Sequence, residues 1–245
     1  MTTIPRWEKY KGFFQITIFR YLVLWFSLVP VVVTLFEGLQ RPLVIPWDHK
    51  IISLQLAMPF SWQLLWLSSL LFFVALGLYH LRCPAFIKKY NNFSEYQSYS
   101  HDPRWLSWEA KSIVEDTSLI DKFTNRLLTK KFLDVLPSDF TWNQADNPSV
   151  QEHQTKLYFE ASGNKLALSM PVLDENSEAQ PAAEKGIFWE IFGRFSESRY
   201  WSRLTIFVLL ILSGFFFLIV LYQHIAFGVR ELCEWIQSTI LLTAK

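Results

Sequence analysis

Ser100, His101 and Asp102 stand side by side and have the residue types of a nucleophile, a base and an orienting carboxylate. Adjacency does not make a relay, because the members of a catalytic triad meet in space from separate parts of a chain. With Pro103 directly after them, the three residues read as a polar turn. The carboxylates Glu109, Glu115 and Asp116 lie among Lys111 and Lys122 in a stretch of helical character, the pattern of a solvated helix face. His49, His80, His101, His153 and His224 have no ligand-spaced partners. His80 and His224 fall at the edges of apolar runs, where an interfacial place suits them. Cys83 and Cys233 form no CxxC pair, so neither a zinc site nor a disulfide framework is indicated. P-loop, GxGxxG, GxSxG, HExxH and EF-hand patterns do not occur. The expectation is a protein that is not an enzyme, with no catalytic, cofactor-binding or metal-binding residue.

The elements that would position any side chain are dominated by apolar blocks. The chain has 245 residues, of which 51% are hydrophobic and only 18% charged, with 11 Trp and 22 Phe, many of them flanking those blocks. Amphipathic aromatics in that place mark a membrane–water interface. A helix needs about 20 apolar residues to cross the hydrocarbon core, and three stretches qualify: about 16–36, with Pro30 at its centre, about 61–80, and about 204–224. The last contains no charged residue. The fold class expected is an α-helical integral membrane protein with three transmembrane helices, a small α+β cytoplasmic domain containing a β-hairpin, and a C-terminal amphipathic helix.

Orientation follows the distribution of Lys and Arg. Arg6, Lys9, Lys11 and Arg20 precede the first span, and Arg82, Lys88 and Lys89 follow the second. Arg194, Arg199 and Arg203 precede the third. The other side carries only Arg41, Lys50, Arg230 and Lys245. The N-terminus and segment 82–203 are therefore expected in the cytoplasm, and the 37–60 loop and C-terminus outside, periplasmic in a bacterium. Arg82, Lys88, Lys89, Arg199 and Arg203 are the candidate membrane-interface residues, placed to meet anionic headgroups. The outer loop, rich in Leu, Ile and Pro, is expected to lie against the bilayer or a neighbouring subunit. After Gly228, apolar residues at Val229, Leu232, Cys233, Ile236 and Ile240 share one helical face, either an interfacial helix or an extension of the third span.

The organisation expected is 1–81 with two spans, 82–203 as the cytoplasmic domain, and 204–245 with the third span and tail. Within the domain, 104–136 has a helical pattern, with Ser118 to Asp121 resembling a capping box and Pro137 as a stop. The runs 156–161 and 165–170 alternate around Ser162-Gly163-Asn164, a hairpin signal. The acidic stretch 174–184 reads as a flexible linker. Residues 186–201 read as an aromatic membrane-surface segment. The run from Cys83 to Glu109 stands out for its aromatic content without carrying a known motif.

The partners expected are the lipid bilayer, further copies of the chain and a soluble cytoplasmic protein. Small residues at Gly77, Ser213 and Gly214 are the candidates for close helix packing between copies. Segment 82–203 carries 15 Lys/Arg against 17 Asp/Glu, with the positive charge at its ends, a pattern that speaks against nucleic acid. The spans lack the intramembrane charges that coupled transport uses. The function expected is a non-enzymatic oligomeric anchor, sensor or scaffold, with a bacterial defence or signalling complex as one setting. The alternative is an oligomeric pore or membrane-perturbing effector. Single cysteines introduced at Ser94 or Ser177 are expected to react with an impermeant thiol reagent only from the cytoplasmic side, and one at Gln40 only from outside. Labelling of the Ser177 variant in intact cells would reverse the topology.

Overall fold

The computed structural model describes residues 4–16, 21, 24, 28–35, 43–47, 50–54, 60–152, 154–171 and 180–243. The protein is mostly helical, with a small antiparallel four-stranded sheet, and divides into two compact units. One comprises 1–5, 12–82 and 201–245, the other 6–11 and 83–200.

The first unit is built on two long apolar helices. Helix α1 (Trp7–Gln15) ends in it. Helix α2 (Trp62–Arg82) has 21 residues, and the last helix of the chain, Tyr200–Thr243, has 44. Both are long and apolar enough to cross a membrane. About half of the first predicted span, 16–36, lies outside the described residues, and 21, 24 and 28–35 are helical. Val29 and Val33 from that stretch are buried with Leu65 of α2 and Val220 of the last helix, so three apolar segments pack together. Between Ser68 and Ser213 the contact is polar and reciprocal. Each serine Oγ donates to the other's carbonyl oxygen at 2.8 Å. Just before the start of α2 the Ser61 N–H donates to Gln223 Oε1 at 2.9 Å.

One feature of this unit was not expected, and one open choice is decided. The 37–60 loop contains an antiparallel hairpin, β1 (Leu43–Trp47) and β2 (Lys50–Leu54), with Trp47 opposite Lys50. Its signal was available: β-branched runs flank Asp48-His49, a short polar pair suited to a turn. The helix that begins at Tyr200 runs on through Gly228, so the tail extends the third predicted span and is not a separate element. Gly228 costs an exposed helix only about 1 kcal/mol relative to Ala, too little to break one this long.

The second unit packs helices on one face of the sheet. After α3 (Ala85–Lys89), α4 (Phe93–Ser98), α5 (Trp105–Val114) and α6 (Ile120–Thr129) come the strands β3 (Leu133–Val135), β4 (Ser149–Val150), β5 (Gln154–Ala161) and β6 (Asn164–Pro171). Helix α7 (Gln180–Glu197) follows, and α8 is the 44-residue helix. The sheet order is β3-β6-β5-β4. Alternation sends Leu157 and Phe159 of β5 and their cross-strand partners Leu168 and Leu166 into the core, against α5 and α6. Ser162 and Gly163 both have positive φ, as a two-residue type I′ turn requires.

Several details of the predicted domain are corrected. Residues 133–135 are a strand, not the end of a helix. Helix α6 stops earlier, where the N–H of Phe132 bonds Leu127 O and that of Lys131 bonds Leu128 O, with Lys131 left-handed. Ser118 caps nothing in the manner of a capping box. Its hydroxyl and N–H both donate to Asp116 Oδ1, an Asx-type turn before the helix. Residues 180–184 of the expected linker form the first turn of α7, while 172–179 lie outside the described residues. The segment read as membrane-surface is the body of α7, whose Ile187, Phe188, Ile191 and Phe192 are buried core. Their 3.6-residue stripe, not their aromatic content, was the informative feature.

Helix α7 is held by one charge cluster and one close approach. Glu190 is buried and receives Lys130 Nζ at 2.7 Å and Arg126 at 3.3 Å. A Cβ on Gly186 would meet the Phe132 ring at 2.7 Å, so the ring occupies the space a side chain would need. Gly186→Val is therefore expected to destabilise this unit by roughly 1–3 kcal/mol, since overpacking forces side chains off their rotamers. Adding Phe132→Leu should recover much of that loss, and thermal denaturation of the two variants checks it.

Candidate functional site

The aromatic run Cys83 to Glu109 folds into α3, α4 and the start of α5, and these short helices converge their rings. Asn92 caps α4 by accepting from the Glu95 N–H at 2.8 Å, while the Glu95 carboxylate returns to the Asn91 N–H. Ser100, with φ of 51°, reverses the chain into the 101–104 turn. There the Asp102 carboxylate takes two hydrogen bonds from the Arg104 guanidinium, at 2.9 and 2.7 Å, and one from its N–H. The reversal brings His101 flat against Tyr99, with ring centroids 5.6 Å apart and planes 4° apart.

Lys89 sits among these rings. Its ammonium donates to His101 Nε2 at 3.1 Å and lies 5.1 Å from the Tyr90 ring centroid and 5.2 Å from that of Tyr99. The ring faces attract the cation. Burial, and then the Lys89 charge, hold His101 below its ordinary pKa, so the imidazole is neutral and accepts. Behind this group lies a cavity of about 230 Å³ lined by Phe86, Tyr96, Leu106 and Glu109 as well as Lys89. A second cavity, of about 270 Å³, shares Ala85, Phe86 and Glu109 with the first and reaches Asp116, Phe195 and Arg199.

The carboxyl groups around these cavities behave differently. Burial raises the pKa of Glu109, and the Lys89 charge offsets this only in part. Glu184 is also raised, by burial first. Among the described residues the buried Tyr96 hydroxyl has no partner at hydrogen-bonding geometry, and burial together with the neighbouring Glu184 carboxyl pushes its pKa up. Asp102 goes the other way: burial works to raise it, but Arg104 outweighs burial and holds it low.

On the outer side the rings form a ladder. Tyr99 touches His101, His101 lies 6.4 Å from Trp105, and Trp105 lies 5.8 Å from Trp108. Trp105 is 59% exposed and Trp108 41%, whereas Phe123 and Phe188 in the same unit are fully buried.

The predicted site residues are distributed as follows. Lys89 joins the aromatic cluster, and Arg199, left-handed at φ of 52°, lines the second cavity. Arg82 ends α2, and Lys88 is exposed on α3. Arg203 is only 6% exposed and donates to the carbonyls of Ile4 and Pro5. Ser213 is buried against Ser68, whereas Gly77 and Gly214 face open space. Ser100-His101-Asp102 forms no relay, since His101 turns to Lys89 and Asp102 to Arg104. Among the described residues no group of three His, Cys, Asp or Glu side chains is placed to hold a metal. The ladder was missed because its rings are not periodic in sequence; the density of aromatics in 90–108 was the available signal.

No family model, curated protein or solved structure matches this chain.

Two carboxylates allow a test of opposite sign. The folded pKa of Glu190 is depressed: burial raises it, but Lys130 and Arg126 more than compensate. Its contribution is present above the unfolded value of about 4.3 and is lost as pH falls through the folded value. Glu190→Gln should therefore lower stability at pH 7 by about 1–2 kcal/mol, with the difference vanishing in acid. The folded pKa of Glu109 is raised, so its contribution is fully present below about 4.3 and is lost as pH rises through the folded value. Glu109→Gln should make the protein more stable at pH 7 and flatten that loss. Thermal melts between pH 4 and 8 read both.

Proposed function

We propose that the protein is a non-enzymatic membrane subunit, an anchor, sensor or scaffold, whose 83–200 unit docks a soluble cytoplasmic protein. The observation that carries this reading is the exposed ladder of Tyr99, His101, Trp105 and Trp108. Rings of this kind, rigid and only partly desolvated, supply the anchoring contacts at protein interfaces. The two long apolar helices support residence in the bilayer. Three crossings, a cytoplasmic N-terminus, an outer C-terminus and assembly of several copies belong to the same proposal, on the basic-residue distribution and surplus apolar surface.

The docking surface assigned here is the ladder and not the β5–β6 hairpin. That hairpin is the centre of the sheet, with Leu157, Phe159, Leu166 and Leu168 buried in it, so its removal would unfold the unit before it revealed any binding role. An oligomeric pore is the weaker reading, because the Ser213 hydroxyl that would line it is engaged by Ser68.

Purification in mild detergent followed by mass spectrometry tests the proposal. A soluble protein should accompany the wild type and be lost from a Trp105→Ser/Trp108→Ser variant that inserts and melts normally. Retention of that protein by the variant would show that the ladder does not dock it.

A further inference from the structure

Helix α8 carries two stripes on opposite sides. The inward stripe repeats every seven residues: Ile206, Ser213 and Val220 are 0%, 3% and 6% exposed. Ser213 meets Ser68 and Val220 meets Leu65, so the known part of this stripe is used against α2. Number α8 as heptads with Val208 at position a, and these three residues occupy position f, opposite the a/d seam.

The seam is exposed along its whole described length. Val208, Ile211, Phe215, Leu218 and Tyr222 lie in the predicted span, at alternating steps of three and four. Ile225, Val229, Leu232 and Ile236 continue the same register beyond it, and all nine are between 43% and 73% exposed. Inside a bilayer such exposure is ordinary, and Leu212 and Phe217 are exposed there off the seam. Past His224 the situation differs. Position f changes to Phe227 and Glu234 as α2, which begins at Trp62, runs out, while positions a and d remain apolar. The charges Arg230, Glu231 and Glu234 fall at b, c and f, where Arg230 contacts both glutamates at 3.7 Å within the helix.

At 1.5 Å per residue, 44 residues extend for about 66 Å, roughly twice the hydrocarbon thickness of about 30 Å. The distal part of α8 therefore carries an apolar seam into water. Because the helix continues unbroken through Gly228, its tail projects along the axis of the span.

We propose that the α8 seam from Val208 to Ile236 is the interface between copies of this chain, joined as a parallel coiled coil whose water-exposed end supplies the driving force. The occupant is a second copy for three reasons on this surface. Copies inserted in one orientation present parallel α8 helices, a seam of constant register matches itself, and its charges are already paired within the helix. The proposal rests on the membrane reading above but not on the ladder. The burial of Ser213 in the α2 contact also moves the expected contact between copies away from that residue and onto the opposite face.

Disulfide scanning in native membranes tests it. In a Cys233→Ser background of the full chain, single cysteines are introduced at Val229, Leu232 and Ile236 and, as controls, at Arg230, Glu234 and Gln237. Oxidation should yield cross-linked dimers at the first three and little at the controls, and Val229→Asp/Leu232→Asp should convert the oligomer to monomer in native mass spectrometry. Cross-linking without this periodicity, or its absence at every position, overturns the proposal. So does high accessibility of spin labels at Val229 and Leu232 to oxygen dissolved in lipid, which would lay the tail on the membrane. If the Gln40 labelling fails as well, the membrane reading itself falls. If that labelling succeeds and the scan fails, only the seam is lost.

Discussion

Apolar helices in lipid gain little from burying apolar surface against each other, so the few polar contacts between them determine how they are rotated. Ser68 and Ser213 supply such a contact. Each hydroxyl reaches the partner helix's backbone at 2.8 Å, which requires α2 and α8 to approach closely and admits only small side chains at the crossing. Ser69 directs its own hydroxyl to the Leu65 carbonyl one turn back, so it adds no second claim on α8. Once Ser213 is turned inward, the heptad spacing of α8 determines the rest. Ile206 and Val220 follow it inward, and the seam seven-residue register of Val208, Phe215 and Tyr222 is turned outward. One pair of hydroxyls thus decides which face of a 44-residue helix remains available.

The 83–200 unit is held together differently, by a sheet whose apolar face is buried under helices. Its sheet is small, and β3 and β4 are too short to protect it, so α5 and α6 cover the β5–β6 pair and α7 packs on those helices in turn. Helix α7 approaches closely at Gly186 and is fastened by Glu190, whose carboxylate is buried against two cations that remain partly solvated. That arrangement lowers the desolvation cost of a buried ion pair, because only one member leaves water completely. The N-terminal helix is secured in the same unit by polar contacts at fixed places: Trp7 Nε1 donates to the Ser198 carbonyl at 3.0 Å, and Lys11 donates to that of Ile87 at 3.0 Å.

What could be read in the sequence follows from the range of the interactions concerned. The apolar lengths of 61–80 and 204–224, and the alternation around Ser162-Gly163, are local signals, and α2, α8 and the β5–β6 pair are found there. Residues 133–135 were misread because three residues carry no periodicity, and Leu133 becomes a strand residue only by pairing with Leu168. Helix α7 was misread for another reason. Its aromatics suit a membrane surface and a protein core equally, and only the tertiary contacts of Phe188 with Phe86, Phe93 and Tyr96 distinguish the two. The candidate site was legible only as composition. Lys89 was singled out for its charge near a span, yet its neighbours are rings that the left-handed Ser100 folds back onto it, and no spacing rule anticipates such a reversal.

The electrostatics of the aromatic cluster separate it from the structural charges elsewhere in the unit. Glu190 and Asp102 each sit within 2.7 Å of a cationic partner, and their carboxyl groups are held low as a result. Glu109 lines the same cavity as Lys89, but the ammonium donates to a neutral imidazole instead, and the carboxyl is left raised. A fold selected for stability alone would close that gap with an ion pair or fill the cavity with a larger side chain, since either change raises stability. Keeping a cation, a partly buried acid and exposed rings around an open space is characteristic of a surface that meets something else. The geometry therefore places the cost of the unit where the proposed docking takes place, and it leaves the opposite side of the sheet, where Phe140 and Trp142 pack on Tyr158, to ordinary packing.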